Sequence, residues 1–242
     1  LKLDIAGREY DSYVTKDAGL LFPSGVSLSE APEAAAAPAQ AQQPSQNYPK
    51  SEKPVVDLYI MSYCPYGIQA QKGLHPVMEL MGDDAEINIK WVPYIMHGLK
   101  EIDENNRQYC IQKEQRSKYT DYVGCFVESQ DAAACGKFAG IDEAKVETCI
   151  EKSDTEFHIT EDYEDKASWS GGRFPVYRVD KVEADELGVR GSPSMFINGV
   201  SYGGARTPEA YKAALCSAFD NPPEECEEVL SAEAGAASGS CG

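Results

Sequence analysis

An apolar segment that runs directly into Cys64 and Pro65 constrains the fold more than any other feature of the sequence. Residues 55–61 are almost continuously apolar, which is typical of a strand buried on both faces. Pro65 suits the first turn of a helix, where its missing N–H has no partner to lose. Residues 87–91 then alternate apolar and polar side chains, which indicates a second strand. The order strand, helix, strand predicts a right-handed βαβ unit.

The elements further along the chain predict a second half of different topology. Between about residues 98 and 170, apolar side chains recur at helical spacing, which indicates a helical insertion. Residues 194–197 have the pattern of a strand, and the Asn-Gly pair at 198–199 is typical of a two-residue hairpin turn. Thr and Pro at 207–208 suit the N-cap and first position of a final helix. These residues predict a ββα unit after the insertion.

Composition divides the chain into four regions. Residues 1–30 contain short alternating bursts that predict two or three small strands, an N-terminal β segment. Residues 31–53 are rich in Ala, Pro and Gln and predict a flexible linker. Residues 54–230 hold the main domain. The tail, residues 231–242, is rich in Ala, Gly and Ser and is predicted to be disordered.

The charge of the chain bears on its partners. Lys and Arg number 22 against 40 Asp and Glu, a formal net charge of −18. A surface this acidic repels phosphate backbones, so we expect no nucleic-acid partner. No apolar run approaches the roughly 18 residues that a membrane span needs. The sequence begins at Leu1, so we expect any signal peptide or anchor to lie upstream, and membrane contact only through such an anchor.

Cysteine usage indicates the compartment and the absence of a cofactor. Eight cysteines are many for a cytosolic protein of this size, and they favour disulfides in an oxidising, extracytoplasmic setting. The chain has three histidines and no Cys-x-x-Cys pair. That composition argues against a zinc site and against c-type haem attachment. We expect no metal and no organic cofactor.

Two motifs carry a resemblance to a known family. They are MSYCPYG at residues 61–67 and GVRGSPS at residues 188–194. In this order, with a helical segment between them, the sequence resembles the DsbA-like branch of the thioredoxin superfamily over roughly residues 54–220. The resemblance implies an α/β thioredoxin fold, βαβ then ββα, with a disulfide-stapled helical insertion at about 98–170 between the halves.

The resemblance also implies a catalytic site formed by Cys64, Pro65, Tyr66, Gly67, Ser192 and Pro193. Pro193 would follow a cis peptide bond beside Cys64, and the backbone of Ser192 would bind an extended substrate by strand addition. Independently of the family, a thiol at a helix start faces unpaired N–H groups and the positive end of the helix dipole, which favours the thiolate. Because Tyr63, Pro65 and Tyr66 surround it, we expect the thiol to be exposed at a rim.

Gly67 departs from the redox-active pattern. Dithiol members have a second cysteine there, which resolves the mixed disulfide; CPYG at 64–67 is similar to a glutaredoxin CPYC without its second sulfur. Three possibilities remain: monothiol exchange or isomerisation, resolution by another cysteine, or a binding module that has lost its chemistry. Cys241, on a flexible tail, is the candidate resolving thiol, or it locks Cys64 in a disulfide. A substitution Gly67→Cys is expected to confer dithiol activity.

The other six cysteines are predicted to form structural disulfides. Cys216 and Cys226, ten residues apart, would join the last helix to the segment that follows it. Four cysteines in the insertion allow three pairings, of which the one that staples successive hairpins is predicted. Its bridges are Cys110–Cys125 and Cys135–Cys149.

Two functions from different classes follow. The first is an extracytoplasmic thiol–disulfide exchange protein (periplasmic, cell-surface, secreted or luminal) that acts through Cys64 on protein thiols or disulfides. The second is a redox-inactive thioredoxin-fold module that binds extended polypeptide or a partner subunit. A third hypothesis is an anchored structural component whose Cys64 is locked in a disulfide.

Overall fold

The computed structural model describes residues 47–233 in full and the backbone of four short strands within the first 22 residues. The remaining positions up to residue 46 and residues 234–242 lie outside the described residues. They include most of the predicted linker, most of the predicted tail, and Cys241. Two compact units make up the chain, residues 1–44 and residues 45–242.

The N-terminal unit contains two antiparallel strand pairs. Strand β1 (Lys2–Ile5) pairs with β2 (Arg8–Asp11), and β3 (Tyr13–Val14) pairs with β4 (Leu21–Phe22). The sequence predicted two or three short strands in this region, and the described ones number four.

The second unit is built on a mixed sheet with the strand order β6-β5-β7-β8. Strand β5 (Val55–Ile60) runs parallel to β6 (Glu86–Trp91) and antiparallel to β7 (Ser194–Ile197), and β7 continues antiparallel to β8 (Val200–Ser201). Five of the six residues of β5 are buried, as the apolar run predicted for a central strand.

Helices surround this sheet. Helix α1 (Pro65–Met81) connects β5 to β6, and α8 (Pro208–Cys216) follows β8. Between β6 and β7 lie α2 (Leu99–Glu114), α3 (Arg116–Ser129), α4 (Ala132–Phe138), α5 (Glu143–Phe157), α6 (Ile159–Glu164) and α7 (Lys181–Glu186). The predicted α/β architecture, βαβ then ββα with a helical insertion, is confirmed.

The main unit begins earlier than the composition indicated. Residues 47–53 were assigned to the linker, but Tyr48 is buried in the core and Ser51 forms a parallel bridge with Phe219. The Nδ2 of Asn198 donates hydrogen bonds to the carbonyl oxygen of Pro49 (2.6 Å) and to Ser51. These partners come from the far end of the chain, so local composition carried no sign of them.

Three disulfides are present in the described residues. The predicted Cys216–Cys226 bridge is one of them. The other two are Cys110–Cys149 and Cys125–Cys135, so the predicted pairing of the four insertion cysteines is wrong. The reason is the packing of the helices: α5 packs against α2 and α4 against α3, whereas α4 and α5 are not a packed pair, so a Cys135–Cys149 bridge has no interface to join.

Within residues 47–233 and the four N-terminal strands, no helix is both long enough and apolar enough to cross a membrane.

Candidate active site

Cys64 is the N-cap residue of α1, and only residues 61–63 separate it from the end of β5. Its carbonyl oxygen accepts from the Ile68 N–H (2.9 Å), and its own N–H donates to the carbonyl oxygen of Met61 (3.0 Å). Pro65 occupies the first helical position, as predicted. The Cys64 side chain thus stands at the mouth of a 17-residue helix, among backbone N–H groups that lack intrahelical partners.

The expectation of an exposed thiol is wrong. Cys64 is only 2% exposed and packs in a small apolar cluster with side chains from the β5, β6 and β7 regions and from around α7. Of the residues that suggested a rim, Tyr66 is exposed, but Pro65 is half-buried and Tyr63 packs its ring on Phe126 at 5.7 Å. Covering groups such as Val189 and Phe196 are more than 120 residues away in sequence, beyond the reach of a local pattern.

The loop before β7 brings Ser192 and Pro193 against Cys64. The Sγ of Cys64 donates to the carbonyl oxygen of Ser192 at 3.7 Å. The Ser192–Pro193 peptide bond is cis, as the resemblance implied. The Oγ of Ser192 accepts from the Met61 N–H (3.0 Å), which ties this loop to the end of β5. The structure therefore brings Cys64, Gly67, Ser192 and the adjoining Pro193 into one site.

Gly67 is buried directly beneath this contact. A β-carbon at position 67 would stand 2.6 Å from the Oγ of Ser192 and 3.0 Å from the carbonyl oxygen of Met61. Real β-carbons essentially never approach other atoms below 3.0 Å. The expectation that Gly67→Cys alone confers dithiol activity is therefore not supported by the geometry, because Ser192 occupies the space.

A cavity of about 370 Å³ opens beside the same loop. Its lining includes Pro193, Ser194, Tyr202, Arg206 and Tyr211. Arg206 is the only charged residue in the lining. Ser192 lies next to this cavity in sequence, and within residues 47–233 its backbone N–H has no hydrogen-bond acceptor.

Tyr94 is a residue of the site that the sequence did not reveal. Its hydroxyl donates to the carbonyl oxygen of Arg190 (2.9 Å), and its ring packs beside Phe174 at 5.6 Å. Burial raises the pKa of Tyr94, and the negative charge of a Cys64 thiolate adds to the rise. Tyr94 is thus close enough to Cys64 for their charges to interact, although 30 residues separate the two in the chain.

The first turns of α2 hold the loop that carries Cys64. The Ser62 N–H donates to Asn105 Oδ1 (3.2 Å), and the Ser62 hydroxyl donates to the Glu101 carbonyl oxygen (3.4 Å). Glu101 is itself fully buried and accepts from both the backbone and the ring of His97. Sequence patterns missed this contact because polar residues on a helix usually indicate its solvent face.

No group of three or more His, Cys, Asp or Glu side chains suited to a metal ion occurs in the described part of the chain.

The comparisons with known proteins rest on structure. No protein-family model and no curated protein sequence matches the chain. The oxidised DsbA of Mycobacterium tuberculosis matches with a TM-score of 0.51 and 17% identity, over 76% of this chain and 91% of that one. The reduced form of DsbG of the same organism, a disulfide bond oxidoreductase, matches with a TM-score of 0.49 and 18% identity, over 76% of this chain and 88% of that one. Oxidised BdbD from Bacillus subtilis matches with a TM-score of 0.46 and 14% identity, over 76% of this chain and 94% of that one.

The match to oxidised DsbA carries the fold comparison. At 17% identity this match shows the fold alone, and the chemistry of the site has to be argued from the residues of this chain. The main unit of the chain has a DsbA-like thioredoxin fold.

Proposed function

We propose that the chain is an extracytoplasmic thiol–disulfide exchange protein that uses Cys64 as a single nucleophile. The observation that carries the proposal is the position of the Cys64 sulfur. It lies at the N-cap of α1, 3.7 Å from the carbonyl oxygen of Ser192. A helix N-terminus offers partial positive charge to a thiolate, and the thiolate is the attacking species in disulfide exchange.

The exchange needs one sulfur on this chain and a disulfide in the partner. The Cys64 thiolate attacks one sulfur of the partner disulfide, forms a new S–S bond to it and releases the other as a thiolate. A second thiol, from the substrate or a small molecule, then attacks the mixed disulfide and restores Cys64. Oxidation and reduction balance within the substrates, as monothiol exchange or isomerisation requires.

The substrate class we propose is an extended polypeptide that carries a cysteine. The Ser192 backbone N–H has no acceptor within residues 47–233, and the adjacent loop leads into β7, whose partner β8 has only two residues. The ladder between β7 and β8 pairs only Phe196 and Ile197, so the residues that lead into β7 lie outside it, where an added strand can pair with main-chain groups. A segment bound along Ser192 would bring its own sulfur past Cys64.

An oxidising compartment fits the other cysteines. Three disulfides lie in the main unit, and such bonds persist mainly outside the reducing cytosol. We therefore place the protein in the periplasm, on the cell surface, in a secretory lumen or outside the cell.

Trapping of a mixed disulfide tests the proposal. Native chain is incubated with a short cysteine peptide whose sulfur is capped by glutathione, excess thiol is alkylated, and the adduct is located by mass spectrometry. We expect the peptide on Cys64. Cys64→Ser should lower adduct formation at least 100-fold, whereas the matched control Cys241→Ser should retain it.

Two outcomes would contradict the proposal. One is an adduct yield in Cys64→Ser equal to that of the unaltered chain. The other is a Cys64 that stays unmodified in the native Cys241→Ser chain and reacts only after unfolding. Both variants are compared by thermal unfolding first, so that loss of the adduct is not loss of fold.

The near-complete burial of Cys64 favours a second candidate function, a polypeptide-binding module without redox chemistry. The same peptide separates the two. If Cys64→Ser and the unaltered chain bind a serine version of the peptide equally and neither forms an adduct with the cysteine version, the chain binds without reacting.

A further inference from the structure

The backbone at position 67 is suited to a disulfide that this chain does not make. A β-carbon built on Gly67 lies 3.4 Å from the Cβ of Cys64. Disulfides join β-carbons that are roughly 3.5–4.5 Å apart. The two β-carbons would thus lie close to the separation that a bridge between positions 64 and 67 needs.

What stands in the way is the hydroxyl of Ser192. Its oxygen would be 2.6 Å from that β-carbon, the tightest of the three nearest contacts. The Met61 carbonyl oxygen, at 3.0 Å, is a backbone atom that also accepts from the Cys64 N–H, and it must give by a few tenths of an ångström.

Ser192 cannot simply turn away. Its Oγ accepts from the Met61 N–H at 3.0 Å, and Met61 is only 2% exposed. Rotation of the hydroxyl would leave a buried N–H without an acceptor, which is costly. The hydroxyl is therefore held in the space next to Gly67.

We infer that Ser192 is a positioning residue that keeps this site monothiol together with Gly67: its hydroxyl fills the space that a second thiol would need. The inference rests on the proposed function in taking Cys64 as the reacting sulfur. A dithiol site therefore requires two substitutions, Gly67→Cys and the removal of the Ser192 hydroxyl.

The reaction that reports on this uses oxidised glutathione as the oxidant. The Cys64 thiolate attacks glutathione disulfide, forms a mixed disulfide and releases one glutathione thiolate. The thiolate of the introduced cysteine then attacks the Cys64 sulfur and releases the second. Two protein thiols lose two protons and two electrons, and one glutathione disulfide becomes two glutathione thiols.

The experiment compares four variants, all carrying Cys241→Ser. They are Gly67→Cys alone and Gly67→Cys combined with Ser192→Ala, with Ser192→Thr, or with Ser194→Ala. Thr keeps the hydroxyl oxygen at 192, and Ser194 is a neighbouring serine whose hydroxyl instead donates to the Gly191 carbonyl oxygen. Each is equilibrated in glutathione redox buffers, alkylated, and analysed by mass spectrometry for the 64–67 bridge.

We expect the equilibrium constant for the bridge to be at least tenfold larger with Ser192→Ala than with Gly67→Cys alone. The Ser192→Thr and Ser194→Ala combinations should match the single variant. The inference is overturned if Gly67→Cys alone forms the bridge as readily. It is also overturned if the folded Ser192→Ala combination forms none.

A double-mutant cycle with alanine tests the same contact if the cysteine variants fold poorly. Gly67→Ala should lower the melting temperature by several degrees, and Ser192→Ala alone should also lower it, because the Met61 N–H loses its acceptor. The double variant should lose clearly less than the sum of the two single losses, because the clash between positions 67 and 192 is gone. Strict additivity of the two shifts would contradict the inference.

Failure of the proposed function looks different. In that case native Cys64 of the unaltered chain would form no mixed disulfide with glutathione, yet the alanine cycle would still show coupling between positions 67 and 192.

Discussion

The Cys64 site and the helical insertion both depend on cysteine, and they use it in opposite ways. In the insertion, four sulfurs form the Cys110–Cys149 and Cys125–Cys135 bridges between packed helices. At the site, Cys64 belongs to none of the three disulfides among the described residues. Gly67 stands where a dithiol site has its second cysteine, and the hydroxyl of Ser192 lies beside Gly67. The insertion uses its sulfurs as crosslinks between helices, whereas the sulfur of Cys64 lies at a helix N-terminus beside Ser192.

The two regions also treat buried polar groups differently. The insertion contains a network in which Glu104 accepts from Gln108 (2.8 Å) and Tyr122 (3.0 Å), while Gln108 accepts from Tyr119 (3.0 Å) and Gln71 (3.2 Å). At the site, the Cys64 sulfur meets a backbone carbonyl at 3.7 Å within an apolar cluster. From this comparison we expect stability and reactivity to be carried largely by separate groups, which the following predictions test.

Removal of the insertion disulfides should have the largest effect on stability. Chain-entropy arguments assign about 4 kcal/mol to the 39-residue loop of Cys110–Cys149 and about 3 kcal/mol to the 10-residue loop of Cys125–Cys135. We expect double alanine variants to lose these free energies of unfolding in denaturant titrations. The rate of Cys64 alkylation should stay within about twofold. A tenfold loss of that rate in a folded variant would show that the regions are not separate.

Glu104 should make stability depend on pH. Burial raises its pKa from an ordinary value near 4.5 to about 7, against hydrogen bonds from Gln108 and Tyr122 that lower it. The folded chain therefore holds this proton up to about pH 7, and the unfolded chain releases it above about pH 4.5. Its contribution is full below pH 4.5 and is lost as the pH rises to 7, by about 3 kcal/mol.

Glu104→Gln measures this contribution. Between pH 5 and pH 8 the free energy of unfolding of the unaltered chain should fall by about 2 to 3 kcal/mol more than that of the variant. Burial raises the pKa of Asp180 to about 6, which acts in the same direction. A smaller loss of stability with rising pH should therefore remain in the unaltered chain and in the variant alike. The exposed Asp121→Asn is the control. An identical pH dependence in Glu104→Gln and the unaltered chain would refute the assignment.

Asn105 joins the two regions and should show the smallest effect. Asn105→Leu leaves the buried Ser62 N–H without its acceptor, at a cost of about 1 to 2 kcal/mol. Its matched control is Asn106→Leu, which removes the acceptor of the Tyr177 hydroxyl (2.7 Å). We expect similar losses in denaturant titrations from both. Only Asn105→Leu should also change the Cys64 alkylation rate, by threefold or more; equal rates would mean that Asn105 is structural alone.

The parts of the fold that the sequence predicted are those determined by neighbouring residues. The apolar run of β5, proline at the start of α1 and the Asn-Gly turn before β8 each act within a few positions, and each element lies where it was predicted. The Cys216–Cys226 bridge is also local, since ten residues separate its ends.

The parts that the sequence did not predict depend on contacts between distant segments. The pairing of the insertion cysteines follows from which helices pack together, and the burial of Cys64 follows from Val189 and Phe196. The contact of position 67 with Ser192 spans 125 residues. The spacing of residues along the chain contains no information on such contacts. The motif at residues 64–67 showed that the second cysteine is absent, but it could not show that the Ser192 hydroxyl lies next to Gly67.

The most direct test of the central claim is the alkylation rate of Cys64 in the Cys241→Ser chain, native and unfolded. Iodoacetamide is added to the folded chain and to the chain in guanidinium, both with the three disulfides intact, and Cys64 modification is followed by mass spectrometry. A reactive thiol at a helix N-terminus predicts a native rate at least equal to the unfolded rate. A native rate 100-fold slower would show that the 2% exposure of Cys64 makes it inert.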